Sequence, residues 1–273
     1  MPKPGTPYGR MNYYLIHIQY LGFRFHGWQR QPGVKTVESM VVKTLEFILG
    51  HPEFKILGTS RTDAMVSADH SAFELFIEED IEPASFLKEM NTNLPPDIRA
   101  LAIEAVGPGF NIINSPRTKT YLYLFSHGEK AHPFCAPLMA CFREVLDIPA
   151  MQAGADLFKG VHNFVRYCTR AGADTCFERE ILVSRIKENT EYSASFFPEQ
   201  TWAYEVASRG FMRHQVRLMM GQLIALGKGM ICLEDIRESL SGKTSRPLRT
   251  IAPASGLMLK RVDFHNAGGM NHG

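Results

Sequence analysis

The chain of 273 residues has almost no net charge: 30 Lys and Arg against 28 Asp and Glu leave +2. Binding of nucleic acid through bulk charge is thereby excluded, and any phosphate contact has to come from a local patch. The five cysteines (Cys135, Cys141, Cys168, Cys176, Cys232) are odd in number and include no C-x-x-C pair. This argues against a disulfide framework or a zinc site and fits a reduced cytosol. Long hydrophobic runs are missing too. The longest uncharged apolar stretch, Leu218 to Gly227, is about half a membrane span, so no transmembrane helix is expected. The first residues, Met-Pro-Lys-Pro-Gly, lack the apolar core of a signal peptide, and a cytoplasmic location is expected. Neither a Walker A sequence nor a G-x-G-x-x-G occurs, so NTP hydrolysis and hydride transfer have no support. Ten histidines are scattered without an H-x-H or H-x-x-x-H pair. A metal-dependent hydrolase built on Asp63, Asp69 and His70 therefore lacks a ligand set, and no metal is expected.

What is present is an ordinary globular composition, 45% hydrophobic and 21% charged, long enough for two packed halves. Residues 1–10, rich in Pro and Gly, read as a loose arm. Alternation from Tyr13 to Tyr20 predicts a strand, and residues 21–34 read as an aromatic loop. Val37, Val41, Thr44, Leu45 and Ile48 recur at helical spacing between Thr36, a candidate N-cap, and Gly50, a stop. Phe73, Leu75 and Ile77 alternate with Glu74 and Glu78 as in a half-buried strand. Pro83 opens a helix over Ser85 to Asn91. Strands are expected at 98–106, 117–125, 180–186, 201–207 and 256–264. Helices are expected from Met151 to Phe158, ended by Gly160, from Phe211 to Leu226, and from Leu233 to Leu240. Several strands follow one another without a helical crossover, which predicts an α+β fold with mainly antiparallel sheet.

Positive charge gathers in three places. Arg209, Arg213 and Arg217 are spaced i, i+4, i+8 and would line one helical face with His214 beside them. No acidic residue lies between Val206 and Ile231 to neutralise them. A second acid-free stretch holds Lys243, Arg246, Arg249, Lys260 and Arg261; a third region holds Arg117, Lys119, His127, Lys130 and His132. Three local surpluses in a nearly neutral chain point to phosphate contacts at one surface, and Arg209, Arg213, His214, Lys243, Arg246 and Arg249 are the candidate substrate-binding residues.

The densest chemistry sits in Leu57-Gly58-Thr59-Ser60-Arg61-Thr62-Asp63-Ala64. Small residues let this turn bend and approach a ligand, and they shield little of the Asp63 carboxylate, which can serve as acid, base or nucleophile. Taken alone, such a triplet is more often a structural Asx turn.

Further motifs follow in order. Phe25-His26-Gly27-Trp28-Gln29-Arg30-Gln31, Thr36-Val37-Glu38 and Arg61-Thr62-Asp63-Ala64 resemble the amino half of the TruA family of pseudouridine synthases. Asn93-Leu94-Pro95-Pro96-Asp97-Ile98, Lys119-Thr120-Tyr121-Leu122-Tyr123, Phe158-Lys159-Gly160-Val161-His162-Asn163-Phe164, Phe211-Met212-Arg213-His214-Gln215-Val216-Arg217 and Ala252-Pro253-Ala254-Ser255-Gly256-Leu257 continue the match. The resemblance implies the pseudouridine synthase fold, two α/β halves around a cleft: residues 11–112 with the Asp turn, and 113–265 with the Tyr strand and Arg helix. It implies a homodimer that holds tRNA and isomerises uridine to pseudouridine, at positions 38, 39 and 40 in bacterial members. It makes Asp63 the essential aspartate, Arg61 its partner on the turn, Tyr121 the active-site tyrosine, and Arg217 the arginine that pairs with the aspartate. Exchanging a C–N for a C–C glycosidic bond changes no oxidation state, so no cofactor is required. The sequence departs from the pattern at Met65, where the family generally has Gly, at Ser67, where it has His, and at Ser60, in place of a common Gly. These departures bear on which uridines, and which RNA, are modified; the alternatives are a synthase acting at other tRNA positions or on another RNA, or a largely non-catalytic RNA-binding protein of the same fold, against which the joint presence of Arg61, Asp63, Tyr121 and Arg217 speaks.

Overall fold

The computed structural model describes residues 11–170, 172 and 175–264; the expected amino-terminal arm lies outside them. The chain runs β1 (Asn12–Tyr20), α1 (Val37–Leu49), β2 (Phe54–Gly58), β3 (Ser67–Ile77), α2 (Pro83–Asn93), β4 (Ile98–Ala105), β5 (Pro116–His127), β6 (Ala140–Phe142) and α3 (Ile148–Asp156). It continues through β7 (Gly160–Asn163), β8 (Glu178–Glu188), β9 (Trp202–Ser208), α4 (Gln215–Gly227), α5 (Leu233–Ser239) and β10 (Leu257–Phe264). The fold is α+β.

One ten-stranded sheet runs in the order β4-β1-β3-β10-β5-β9-β8-β7, with β2 added to β3 and β6 to β5. Its pairs are antiparallel except β10 with β3 and β6 with β5. The last strand thus returns to the centre, between β3 and β5, and ties the early segment of the chain to the late one. The boundary expected near residues 112 and 113 falls in the connection from β4 to β5.

All five helices share one core with a single face of this sheet. Val37, Val41 and Leu45 of α1, Met151 of α3 and Leu223 of α4 pack with Ile16, Phe73, Leu75, Tyr123 and Leu259. The period-2 alternation of the strands makes this possible by sending every second residue to the helices. On the opposite face, Leu122, Leu124, Ala203 and Met258 pack with Cys135, Met139 and Phe197.

Local signals explain the element ends. Thr36 caps α1 by accepting from the Ser39 N–H, Ser39 Oγ accepts from the Thr36 N–H in return, and Gly50 closes the helix at φ 76°. Pro83 occupies the first position of α2. Three expectations are corrected. Strand β3 is buried on both faces: Glu74 is 1% exposed because Ile112, from the connection after β4, covers the second face beside Leu15 and Ala72. Helix α3 begins at Ile148 behind an Asp147 cap and ends at Asp156, so Gly160 (φ 94°) opens β7 instead of ending a helix. Helix α4 begins at Gln215, four residues later than its apolar pattern suggests, because His214 is left-handed at φ 61°. No described helix is long and apolar enough to cross a membrane.

Candidate active site

The turn between β2 and β3 is strapped from behind by the aromatic loop that follows β1. Thr62 O accepts from the Trp28 N–H (3.2 Å), and Phe25 O accepts from the Met65 N–H (3.0 Å). Ser67 Oγ accepts from the Gly22 N–H (2.9 Å), and the buried Tyr20 hydroxyl meets Thr62 Oγ1 at 2.9 Å. Gly22 and Gly27 permit this close approach: a Cβ on the first would collide with the Val66 carbonyl and on the second with that of Thr62. The motif Phe25–Gln31 is thus scaffold for the turn that carries Asp63.

Met65 lies in that turn at φ 67°. A residue with a Cβ there costs roughly 1–2 kcal/mol relative to right-handed backbone, which is a physical reason for glycine at this place in a family. The methionine is tolerated because its side chain points outward, 37% exposed.

Asp63 is brought against the start of α4. Arg217 Nη1 donates to Asp63 Oδ2 at 3.2 Å, while Arg217 Nε donates to Ala252 O at 2.8 Å. The guanidinium therefore spans two segments, and its fixed fork settles the carboxylate's direction. His214 Nε2 stands 3.3 Å from Asp63 Oδ1, and Thr169 Oγ1 lies 2.7 Å from His214 Nδ1. Asp63, Arg217 and His214 are each about one-fifth exposed at their side chains, so the group is largely shielded from bulk water but still reachable. Burial holds the imidazole below the ordinary histidine range; Asp63 pulls the other way, and Arg217, Arg213 and Arg170 push with burial.

Tyr121, on β5, is buried and packs edge-on against Phe211 with ring centroids 5.3 Å apart. Burial and then the nearby Asp63 raise its phenol above the ordinary range, with the Ser60 hydroxyl opposing, so it keeps its proton at neutral pH. Arg61 points outward and exposed on the turn. Lys119, two residues before Tyr121, is drawn inward instead of facing a phosphate. Its Nζ donates to Thr59 O at 2.6 Å, and burial lowers its pKa to about 8.

The charge reading is partly corrected. Of the three arginines expected on one helical face, only Arg217 is in α4; Arg209 follows β9, and Arg213 sits in the turn before His214. Arg209 lies beside Arg179 in a hollow of about 440 Å³ also lined by Glu178 and Glu180, so its surroundings are of mixed sign. Lys260 pairs with Asp69 and Glu191, and Arg261 with Asp263. Asp69 also accepts from the Tyr192 hydroxyl at 2.7 Å, and His70 is 2.8 Å from His17, so neither converges on Asp63.

Arg213, Lys243, Arg246 and Arg249 are exposed, and among the described residues none pairs with a carboxylate. Backbone contacts bring their segments together: Leu248 N–H donates to Arg166 O, Thr169 N–H to Arg213 O, and Ala252 N–H to Arg217 O. Arg166 Nε also donates to Arg246 O at 3.1 Å. A strip of positive charge thus leads to Asp63. Arg166 and exposed Arg170 belong to it, and neither was identifiable from spacing. Nor was Thr169, since nothing in its sequence surroundings marks a partner 45 residues away.

Residues 155–265 match a family model described as tRNA pseudouridine synthase. The chain is 28% identical over 253 residues to tRNA pseudouridine synthase A of Dictyoglomus thermophilum, covering 91% of this chain and 98% of that one. It is 29% identical over 255 residues to tRNA pseudouridine synthase A 2 of Bacillus cereus, covering 93% and 100%. Against tRNA pseudouridine synthase A of Shouchella clausii it is 29% identical, covering 90% and 91%. The mixed α+β fold with one mostly antiparallel sheet is consistent with the pseudouridine synthase fold. Over about nine-tenths of its length the chain is similar to tRNA pseudouridine synthases of the TruA family.

Proposed function

We propose that the protein is a tRNA pseudouridine synthase that acts in the anticodon stem-loop, at uridines among positions 38, 39 and 40. The observation that carries this is the partly exposed Asp63 carboxylate, gripped by Arg217 at 3.2 Å, in a chain similar over nine-tenths of its length to enzymes of that name. In the reaction the N1–C1′ bond breaks and a C5–C1′ bond forms; one proton leaves C5 and one is gained at N1. Asp63 is the nucleophile toward the sugar, and Arg217 fixes its direction. Tyr121, protonated and seated on Phe211, stacks against the detached uracil. Arg61, exposed on the turn, fills the space left by the flipped base and offsets part of the few kcal/mol of unstacking. No step calls for a cofactor.

The RNA is held by its backbone, through Arg213, Lys243, Arg246 and Arg249, and through Arg209 despite the carboxylates beside it. We further place the enzyme in the cytoplasm, in keeping with its free cysteines, as a homodimer on the family's pattern. Purified protein given total tRNA labelled at C5 of uridine should release the label as water; retention of all label would refute an isomerase.

About five phosphate contacts make affinity strongly salt-dependent. Binding of a tRNA should weaken about 10²- to 10³-fold between about 50 and 200 mM salt, because released counterions gain less entropy at higher salt. A filter-binding titration measures this, and a flat affinity would show that the strip does not touch phosphates.

A further inference from the structure

Charge alone places His214 with the arginines as an RNA contact, and its geometry says otherwise. The residue is left-handed at φ 61° directly before α4, a conformation that side chains with a Cβ rarely adopt. This backbone turns the imidazole back toward Asp63 with Thr169 behind it. Strain of this kind persists where the surroundings over-determine it, and here two contacts on opposite ring nitrogens do so.

We propose that His214, seated on Thr169, is a positioning residue for Asp63: it holds Oδ1 while Arg217 holds Oδ2. The proposal rests on the reading of Asp63 as nucleophile. An ionised carboxylate only accepts hydrogen bonds, so His214 Nε2 must carry the proton. In the neutral ring Nδ1 then accepts from the Thr169 hydroxyl, which fixes the tautomer. With both oxygens held, the carboxylate cannot rotate, and each oxygen keeps a second lone pair direction for the ribose. The 3.3 Å separation is the looser of the two contacts, as free enzymes often show before substrate closes the site.

The groups facing the imidazole are Asp63, Thr169, Arg217, Arg213 and Arg170. Three cations and burial keep it neutral at neutral pH, against the single pull of Asp63. Acidification below the ordinary histidine range protonates it, Nδ1 becomes a donor to Thr169, and a second cation then stands against the nucleophile and weakens it. Activity is therefore full through the ordinary histidine range and is lost only as pH falls below it.

The test uses full-length protein and separates chemistry from binding. His214→Asn suits the left-handed backbone but places its amide nitrogen where Nδ1 was, too short for Asp63; His214→Gln places one where Nε2 was. Single-turnover pseudouridine formation should fall about 10- to 100-fold in His214→Asn, with the tRNA Kd within about twofold. His214→Gln should recover part of the rate and lose the acidic limb, and Thr169→Val should slow the rate about threefold to tenfold. Unchanged rate with weakened binding in His214→Asn would overturn the proposal and make the residue an RNA contact. A glutamine variant no better than asparagine, with the acidic limb intact, would overturn it too. Nitrogen NMR of His214 in the RNA-free protein provides an arm independent of activity: a proton on Nε2 at neutral pH supports the pairing, and one on Nδ1 contradicts it. If the wild type makes no pseudouridine, the functional reading falls, while this arm still decides the contact.

Discussion

Asp63→Asn should leave a folded protein that binds tRNA normally and makes no pseudouridine. The amide oxygen can still accept from Arg217, and the amide nitrogen can donate to His214 Nε2 once the ring proton moves to Nδ1 and bonds Thr169. The site therefore accommodates the change without an orphaned polar atom. What disappears is the charge and the nucleophilic oxygen, and removal of a nucleophile typically costs about 10⁴-fold or more in turnover. Label release from C5 gives the rate, and filter binding should give a Kd within about twofold of wild type. Appreciable turnover by pure Asp63→Asn protein would remove Asp63 from the chemistry.

Arg217→Met should have the second largest effect, on both stability and rate. The side chain links Asp63 to Ala252 O, so its loss leaves the carboxylate with only the longer His214 contact and leaves a carbonyl unpaired. Breaking such a pair costs about 3 kcal/mol, the low end for buried ion pairs, because Asp63 keeps 23% of its side chain exposed. A shifted denaturation midpoint measures that part. Turnover should fall at least about 10²-fold, since a nucleophile free to rotate spends little time aligned. Arg217→Lys should fall between the two, because a lysine keeps the charge but cannot span both partners with a rigid fork. Wild-type rates in Arg217→Met would separate this arginine from the mechanism.

Elements whose signals are local were legible in the sequence. Thr36 and Gly50 mark both ends of α1, Pro83 opens α2, and strand periodicity locates β1, β5 and β9. The small residues of the Asp63 turn mark it as open, and the structure leaves the Asp63 side chain 23% exposed. Features set by distant partners were not legible. The left-handed turn at His214 has no glycine or proline to announce it; contacts with Asp63 and Thr169, 151 and 45 residues away in the chain, hold it. The apolar pattern therefore suggests an unbroken helix from Phe211 and a row of arginines along it, which the structure does not form. Lys260 and Lys119 look like free cations in the sequence because Asp69 lies 191 residues from the first and Thr59 60 residues from the second. Both faces of β3 are covered by segments far apart in the sequence, so alternation with Glu74 suggested solvent where Ile112 lies.

The most direct measurement maps pseudouridine, position by position, in an unmodified tRNA transcript incubated with purified protein. The wild type should convert uridine at one or more of positions 38, 39 and 40, and Asp63→Asn should convert none. Conversion confined to other positions would contradict the anticodon-loop assignment, and conversion by neither protein would contradict the isomerase itself.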